Sequence, residues 1–256
     1  MNPKIIGTTL PVLEMELQPG DKIVAEPGEF SWMSQNVVLN TTTMTAGAKG
    51  ILGVLGRALS GGGLFMTEYT AQGGTGLVAF ASKLPGQIMQ VDVQPGHEYM
   101  IHRHGFLCAT EGVQLGIGFQ QSLGAGVFGG NGFVLQKLGG TCSAWIELGG
   151  EIVTYDLKPG EGLQVHPGHV GMFEASVNFD LTFLRGVKNI FFGQDGLFVA
   201  RLTGPGKVWL QTLTIPNLAH ALMPYLGKET TAQTVQSGVA GGVAGAMLRD
   251  MFGGNG

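Results

Sequence analysis

The sequence is poor in charge. Lys and Arg number 14 and Asp and Glu 18, so only 12% of the 256 residues are charged, about half of what soluble domains commonly carry. A lone copy needs charge to cover its surface, so the shortage implies a large core or extensive contact between subunits. The basic residues are scattered and the net charge is −4. The clustered basic face of a generic nucleic-acid binder is missing, and nucleic acid is not an expected partner. Cysteine is nearly absent. Cys108 and Cys142 fit no metal or redox spacing and are too few for a disulfide framework, so they read as reduced core thiols of an intracellular protein.

Long apolar runs are lacking as well. No stretch approaches the ~18–20 uninterrupted apolar residues of a membrane span. The opening Met1-Asn2-Pro3-Lys4-Ile5-Ile6 carries neither an apolar signal core nor an Arg-rich presequence. The expectation is a soluble, cytoplasmic protein. Nucleophile-elbow, phosphate-loop and Cys–His signatures do not occur either, so the sequence names no catalytic residue, no cofactor and no reaction.

Glycine is abundant, at 45 residues with no collagen-like period, which points to many tight turns and close backbone approaches. Several of these glycines fall in a block that occurs three times: Leu17-Gln18-Pro19-Gly20-Asp21, Val93-Gln94-Pro95-Gly96-His97 and Leu157-Lys158-Pro159-Gly160-Glu161. The match runs on without gaps. Ile23, Tyr99 and Leu163 correspond, then Ala25, Ile101 and Val165, while Gly28 lies opposite His104 and Gly168. Apolar residues alternate there, the period of a half-buried strand leaving a Pro-Gly turn. A second block follows in each copy: Gly61-Gly62-Gly63-Leu64-Phe65, Gly130-Asn131-Gly132-Phe133-Val134 and Gln194-Asp195-Gly196-Leu197-Phe198. These dipeptides supply the positive φ of two-residue hairpins, and alternation resumes after each, as at Phe133, Leu135 and Leu138.

The two blocks keep their order in all three copies. The expected fold is therefore all-β, a single domain over 1–216 built from three diverged strand-turn repeats (about 10–80, 85–148 and 149–215). Copy one is longer, with an insertion around Thr45–Ser60. Three internal copies suggest trimers or multiples as the assembled state.

The Pro-Gly units, together with Gly50-Ile51-Leu52-Gly53, Arg57-Ala58-Leu59-Ser60-Gly61 and Leu64-Phe65-Met66-Thr67-Glu68-Tyr69, resemble the mitochondrial-biogenesis family named for altered inheritance of mitochondria. The resemblance covers about residues 10–215. It implies a double-stranded β-helix-like sandwich similar to the tryptophan RNA-binding attenuation protein, and assembly into homo-oligomers. The fungal members' mitochondrial setting does not carry over to a chain with no presequence.

Beyond the third copy, residues 217–256 read as a short helix, Leu218 to Met223 behind Pro216-Asn217, then a Gly/Ala-rich tail. Within 234–252, Val235, Val239, Val243, Met247 and Met251 recur every four residues beside a glycine face. Two readings stay open: a Gly-rich disordered end, or a helix packed on its own sandwich or a neighbouring subunit. Arg249 and Asp250 interrupt the apolar face and a Lys/Arg-rich polar face is missing, which disfavours membrane association.

Two motifs carry candidate chemistry. His102 and His104, followed by Glu111, resemble the first metal motif of cupins, and His166 or His169 could add a ligand from another strand to make an iron, manganese or zinc site. The repeat competes with that reading, since Glu26, His102 and His166 are equivalent polar residues at a strand end. Gly124-Ala125-Gly126-Val127-Phe128-Gly129 fits a dinucleotide pattern, but a hairpin turn follows it where a helix is required. Glu68 and Glu147 are acidic residues with no paired base or nucleophile. The leading expectation is a non-catalytic, homo-oligomeric scaffold or interaction protein. A cupin-like metal enzyme and an RNA-binding module by fold analogy are the alternatives.

Overall fold

The structure is a computed structural model describing residues 1–44, 64–121, 132–184 and 197–225. The second glycine blocks, save Gly132 and the strand residues after each turn, the Thr45–Ser60 insertion, the Gly124–Gly129 motif and the tail 234–252 lie outside the described residues. Two compact units are present, Met1–Thr214 and a second beginning at Ile215. The second contains helix α1, Ile215–Leu222. It starts three residues before the expected Leu218, because Pro216 fits inside the first turn, where a backbone N–H has no helical partner anyway.

The first unit is built of antiparallel strands. After β1 (Asn2–Ile6) come β2 (Val12–Leu17), β3 (Lys22–Ala25), β4 (Trp32–Met33), β5 (Val37–Met44), β6 (Leu64–Ala71) and β7 (Gly76–Ala81). The next six are β8 (Gly86–Val93), β9 (Tyr99–His102), β10 (Phe106–Thr110), β11 (Val113–Gln121), β12 (Phe133–Gly140) and β13 (Cys142–Gly149). The last six are β14 (Ile152–Leu157), β15 (Gly162–Val165), β16 (Val170–Glu174), β17 (Asn178–Leu184), β18 (Leu197–Thr203) and β19 (Gly206–Gln211).

One pairing scheme serves all three sets of six. The first strand pairs the sixth (β2–β7, β8–β13, β14–β19) and the sixth also pairs the third (β4–β7, β10–β13, β16–β19). The second pairs the fifth, and the fifth the fourth. Each Pro-Gly block is the turn between the first strand and the second. Gly20, Gly96 and Gly160 hold φ of 97°, 86° and 79° there, a left-handed conformation that a side chain would strain.

Each set thus divides into two half-sheets, and successive sets share sheets. Strand β3 pairs β10 and β9 pairs β16, giving two six-stranded sheets, β5-β6-β3-β10-β13-β8 and β11-β12-β9-β16-β19-β14. At the two ends stand β1-β2-β7-β4 and β15-β18-β17.

Three apolar cores lie between consecutive sheets. Leu13, Met15, Tyr69, Phe80 and Trp145 belong to the first, Met66, Ile101, Leu138, Ile146 and Met172 to the second, and Leu135, Phe173, Ala200 and Val208 to the third. The middle sheets are therefore buried on both faces, which overrides simple alternation. In β12, Leu135 and Leu138 are both fully buried but in different cores, because they stand three positions apart and an odd offset changes face.

Candidate functional site

The candidate residues gather at the corner where the second strand of each set ends. His102 is the last residue of β9, and the chain turns at once, with the Gly105 N–H donating to the His102 carbonyl at 2.8 Å. Gly105 lets the imidazole lie against the turn: a Cβ there would sit 3.0 Å from His102 Cδ2. The His104 N–H approaches His102 Nδ1 at 3.4 Å and His102 Nε2 lies 3.3 Å from the Glu147 carbonyl. An acceptor at Nδ1 and a donor at Nε2 define the neutral Nε2–H tautomer. Burial pushes the His102 pKa down to about 4, helped by the neighbouring His104. His104 lies in the turn rather than on the strand, and partial desolvation of its ring, then the Arg103 charge, lowers its pKa too.

The third set repeats the corner with other partners. The His169 N–H donates to the His166 carbonyl at 2.9 Å, and His169 Nδ1 meets the Gln211 carbonyl at 2.8 Å. The two rings stand 5.9 Å apart, and burial, then His169, lowers the His166 pKa. In the first set the equivalent residue is Glu26, which accepts from Gln136 Nε2 at 2.7 Å. Burial raises its carboxyl pKa, partly opposed by that bond.

The alternative metal site of His102, His104 and His166 or His169 is not assembled. Among the described residues no group of three or more His, Cys, Asp or Glu is placed to hold a metal ion. His102 and His104 do not share a strand face, because the strand ends between them. His102 and His169 each spend a ring nitrogen on a backbone carbonyl of their own set, the arrangement of a ring closing a corner.

Glu147 is buried on β13. Its Oε1 accepts the Lys83 and Leu84 N–H groups at 2.8 and 3.4 Å, and its own N–H donates to the Gly105 carbonyl at 2.7 Å. Burial raises its pKa against those bonds. It ties the link between β7 and β8 to the His102 turn. Lys83 Nζ pairs with Glu29, so Glu26, Glu29, Lys83, His102, His104, Gln136 and Glu147 make one polar corner joining the first two sets. The Glu26–His102–His166 equivalence was visible in the repeat. Lys83, Glu29 and Gln136 gave no sequence signal, since their contacts span 54 and 110 positions. Glu68 lies 3.5 Å from Lys22 Nζ across β3 and β6, and Lys22 also reaches Glu111 at 3.4 Å. Cys108 is buried with its thiol pKa raised, and Cys142 is pushed to about 11 by burial; neither is a ready nucleophile at neutral pH.

Glu26 is engaged by Gln136, Lys83 by Glu29, and His102 and Glu147 by backbone groups, so the fold and site define a layered β-sheet protein whose polar corners tie its strand sets together. Comparison with known proteins gives the family. The mitochondrial biogenesis family AIM24 matches residues 4–213, and the chain belongs to it. An uncharacterised protein of Streptococcus pyogenes serotype M6 is 27% identical over 222 residues, covering 84% of this chain and 87% of that one. The crystal structure of a Streptococcus pyogenes protein superposes with a TM-score of 0.69 at 22% identity, covering 88% of this chain and 99% of that one. No described helix is long and apolar enough to cross a membrane.

Proposed function

We propose that this protein is a non-catalytic, self-associating β scaffold of the cytoplasm, presenting a repeated surface to other macromolecules. The observation that carries the reading is the division of every strand set between two sheets. A set completes its sheet only by borrowing three strands from its neighbour, as β3 does from β10 and β9 from β16. The fold unit is thus also a unit of association. Scarcity of charge, at 12% of residues, agrees with surface covered by further copies, and the polar corners serve to lock sets together. Light scattering coupled to size exclusion tests the reading. Assemblies of two or more copies are expected at micromolar concentration, and a clean single-copy mass refutes it.

A further inference from the structure

We propose that copies of the chain join head to tail, strand β15 of one copy pairing antiparallel with strand β4 of the next. This rests on the self-association proposed above and names its interface. The two end sheets are the two halves of the repeating sheet. Strands β4-β7-β2 match β10-β13-β8 and β16-β19-β14, while β15-β18-β17 match β3-β6-β5 and β9-β12-β11. Among the described strands β4 pairs only β7 and β15 only β18, so each half-sheet stops at the edge where the other would begin. Among the described residues no core combines the two end sheets: that of β4 lines the first core and that of β15 the third. A second copy, rather than the chain's own other end, is therefore the occupant.

The internal joints fix the register. Met33, Ala109 and Phe173 are equivalent, because they stand opposite Val78, Ala144 and Val208 on the sixth strands. In the internal joints Val24 faces Ala109 and Met100 faces Phe173. Gln164, equivalent to Val24 and Met100, then faces Met33 of the next copy, with Leu163 opposite Ser34 and Val165 opposite Trp32.

Hydrogen-bond phase agrees. The Ala175 N–H donates to the Glu98 carbonyl at 2.9 Å, so Met100 and Phe173, two residues along, form a hydrogen-bonded pair. The Ser34 N–H donates to Leu77 on β7 at 2.8 Å, and strand alternation turns the Met33 N–H and C=O to the free side. Trp32 is 46% exposed, whereas its equivalents Cys108 and Met172 are both 0% exposed under a neighbouring strand. Neither edge carries a Pro or a charged residue, the usual guards against pairing. Such an interface is heterologous and builds a ring where its rotation closes and a filament where it does not.

The test uses the full chain with Cys142→Ser. Met33→Cys and Gln164→Cys are made separately, mixed when dilute, concentrated and mildly oxidised; hydrogen-bonded partners sit about 5.5 Å apart at Cα, within disulfide reach. A covalent dimer from the mixture, and none from either variant alone, is expected. Trp32→Glu, at a residue outside the cores, should shift the assembly to single copies that keep the wild-type far-ultraviolet circular dichroism and still unfold cooperatively, with a melting temperature lowered only by the lost association. Assemblies that yield no cross-link and ignore Trp32→Glu overturn this interface and leave self-association standing. A single-copy mass for the wild type overturns both. A Met33→Cys/Gln164→Cys double variant that closes only within one chain also overturns the head-to-tail joint.

Discussion

Acidification should loosen the His102 corner by a calculable amount. The ring is held neutral, with Nδ1 accepting from the His104 N–H and Nε2 donating toward the Glu147 carbonyl. A proton on Nδ1 turns the acceptor into a donor facing a donor, and places a charge where burial has pushed the pKa to about 4, from 6.5. A folded pKa below the unfolded one means that the unfolded chain binds the proton first. The contribution is complete above pH 6.5 and is lost progressively as pH falls toward 4. At pH 4.5 the shift corresponds to about 2 kcal/mol after allowing for the ring's partial exposure. Glu26 and Glu147 work in the other direction, because burial raises both carboxyls and the fold prefers them protonated. The raw acid curve therefore mixes opposing effects, and the difference between two proteins isolates the ring. His102→Gln keeps an N–H donor and cannot titrate. Urea midpoints at pH 7.5 and 4.5 should show the wild type losing about 2 kcal/mol more than the variant. Parallel pH dependences would refute the neutral-ring account.

Leu135→Ala and Leu138→Ala should each cost about 3–5 kcal/mol in denaturant unfolding, since the two side chains fill different cores; a near-neutral result at either would mean that β12 is buried on one face only. Gly112→Ala combines a φ of 94° with a Cβ 2.6 Å from the Thr141 carbonyl oxygen, whereas Gly96→Ala has a φ of 86° and open space. The first should be the more destabilising, with the second costing about 1 kcal/mol in thermal or urea melts; equal losses would remove the steric argument. Gln211 accepts the Gly149 N–H at 3.0 Å and donates to the Gly168 carbonyl at 2.9 Å. Gln211→Leu orphans both groups and should cost about 2 kcal/mol in the same assay, while Gln211→Glu restores only the acceptor. With a thiol reagent at pH 7.5, half-buried Cys142 should label before Cys108, and Cys108 only as the chain unfolds.

The repeat was legible because a Pro-Gly turn constrains residues close in sequence. Gln18, Pro19 and Gly20 need only one another to make the bend, and Ile23 and Ala25 then alternate by strand geometry alone. Where burial comes from both sides the apolar–polar alternation fails, although strand geometry still sends Leu135 and Leu138, three positions apart, to opposite faces. The sharing of sheets between sets was not legible. Nothing in Val24 or Ala109 announces that they face each other across 85 positions of chain, since both are small apolar residues that any strand accepts.

The histidines illustrate how a motif loses its chemistry to geometry. Ligand spacing in a sequence assumes a continuous strand, on which residues two apart share a face. At His102 the strand ends, and the tight turn in which Gly105 packs against the imidazole also carries His104 off the strand face. The equivalence of Glu26, His102 and His166 was the better guide, because it names a place in the fold and not a ligand set. A position that tolerates a carboxylate and an imidazole needs only a polar group able to meet a neighbour: Gln136 for Glu26, and the Glu147 carbonyl for His102. Their shared role is to finish a strand and fasten its end, to the next set through Gln136 for Glu26 and within its own set for His102. The same logic makes Trp32 informative, since it occupies a place that is covered in both other copies and stands open at the chain's first edge.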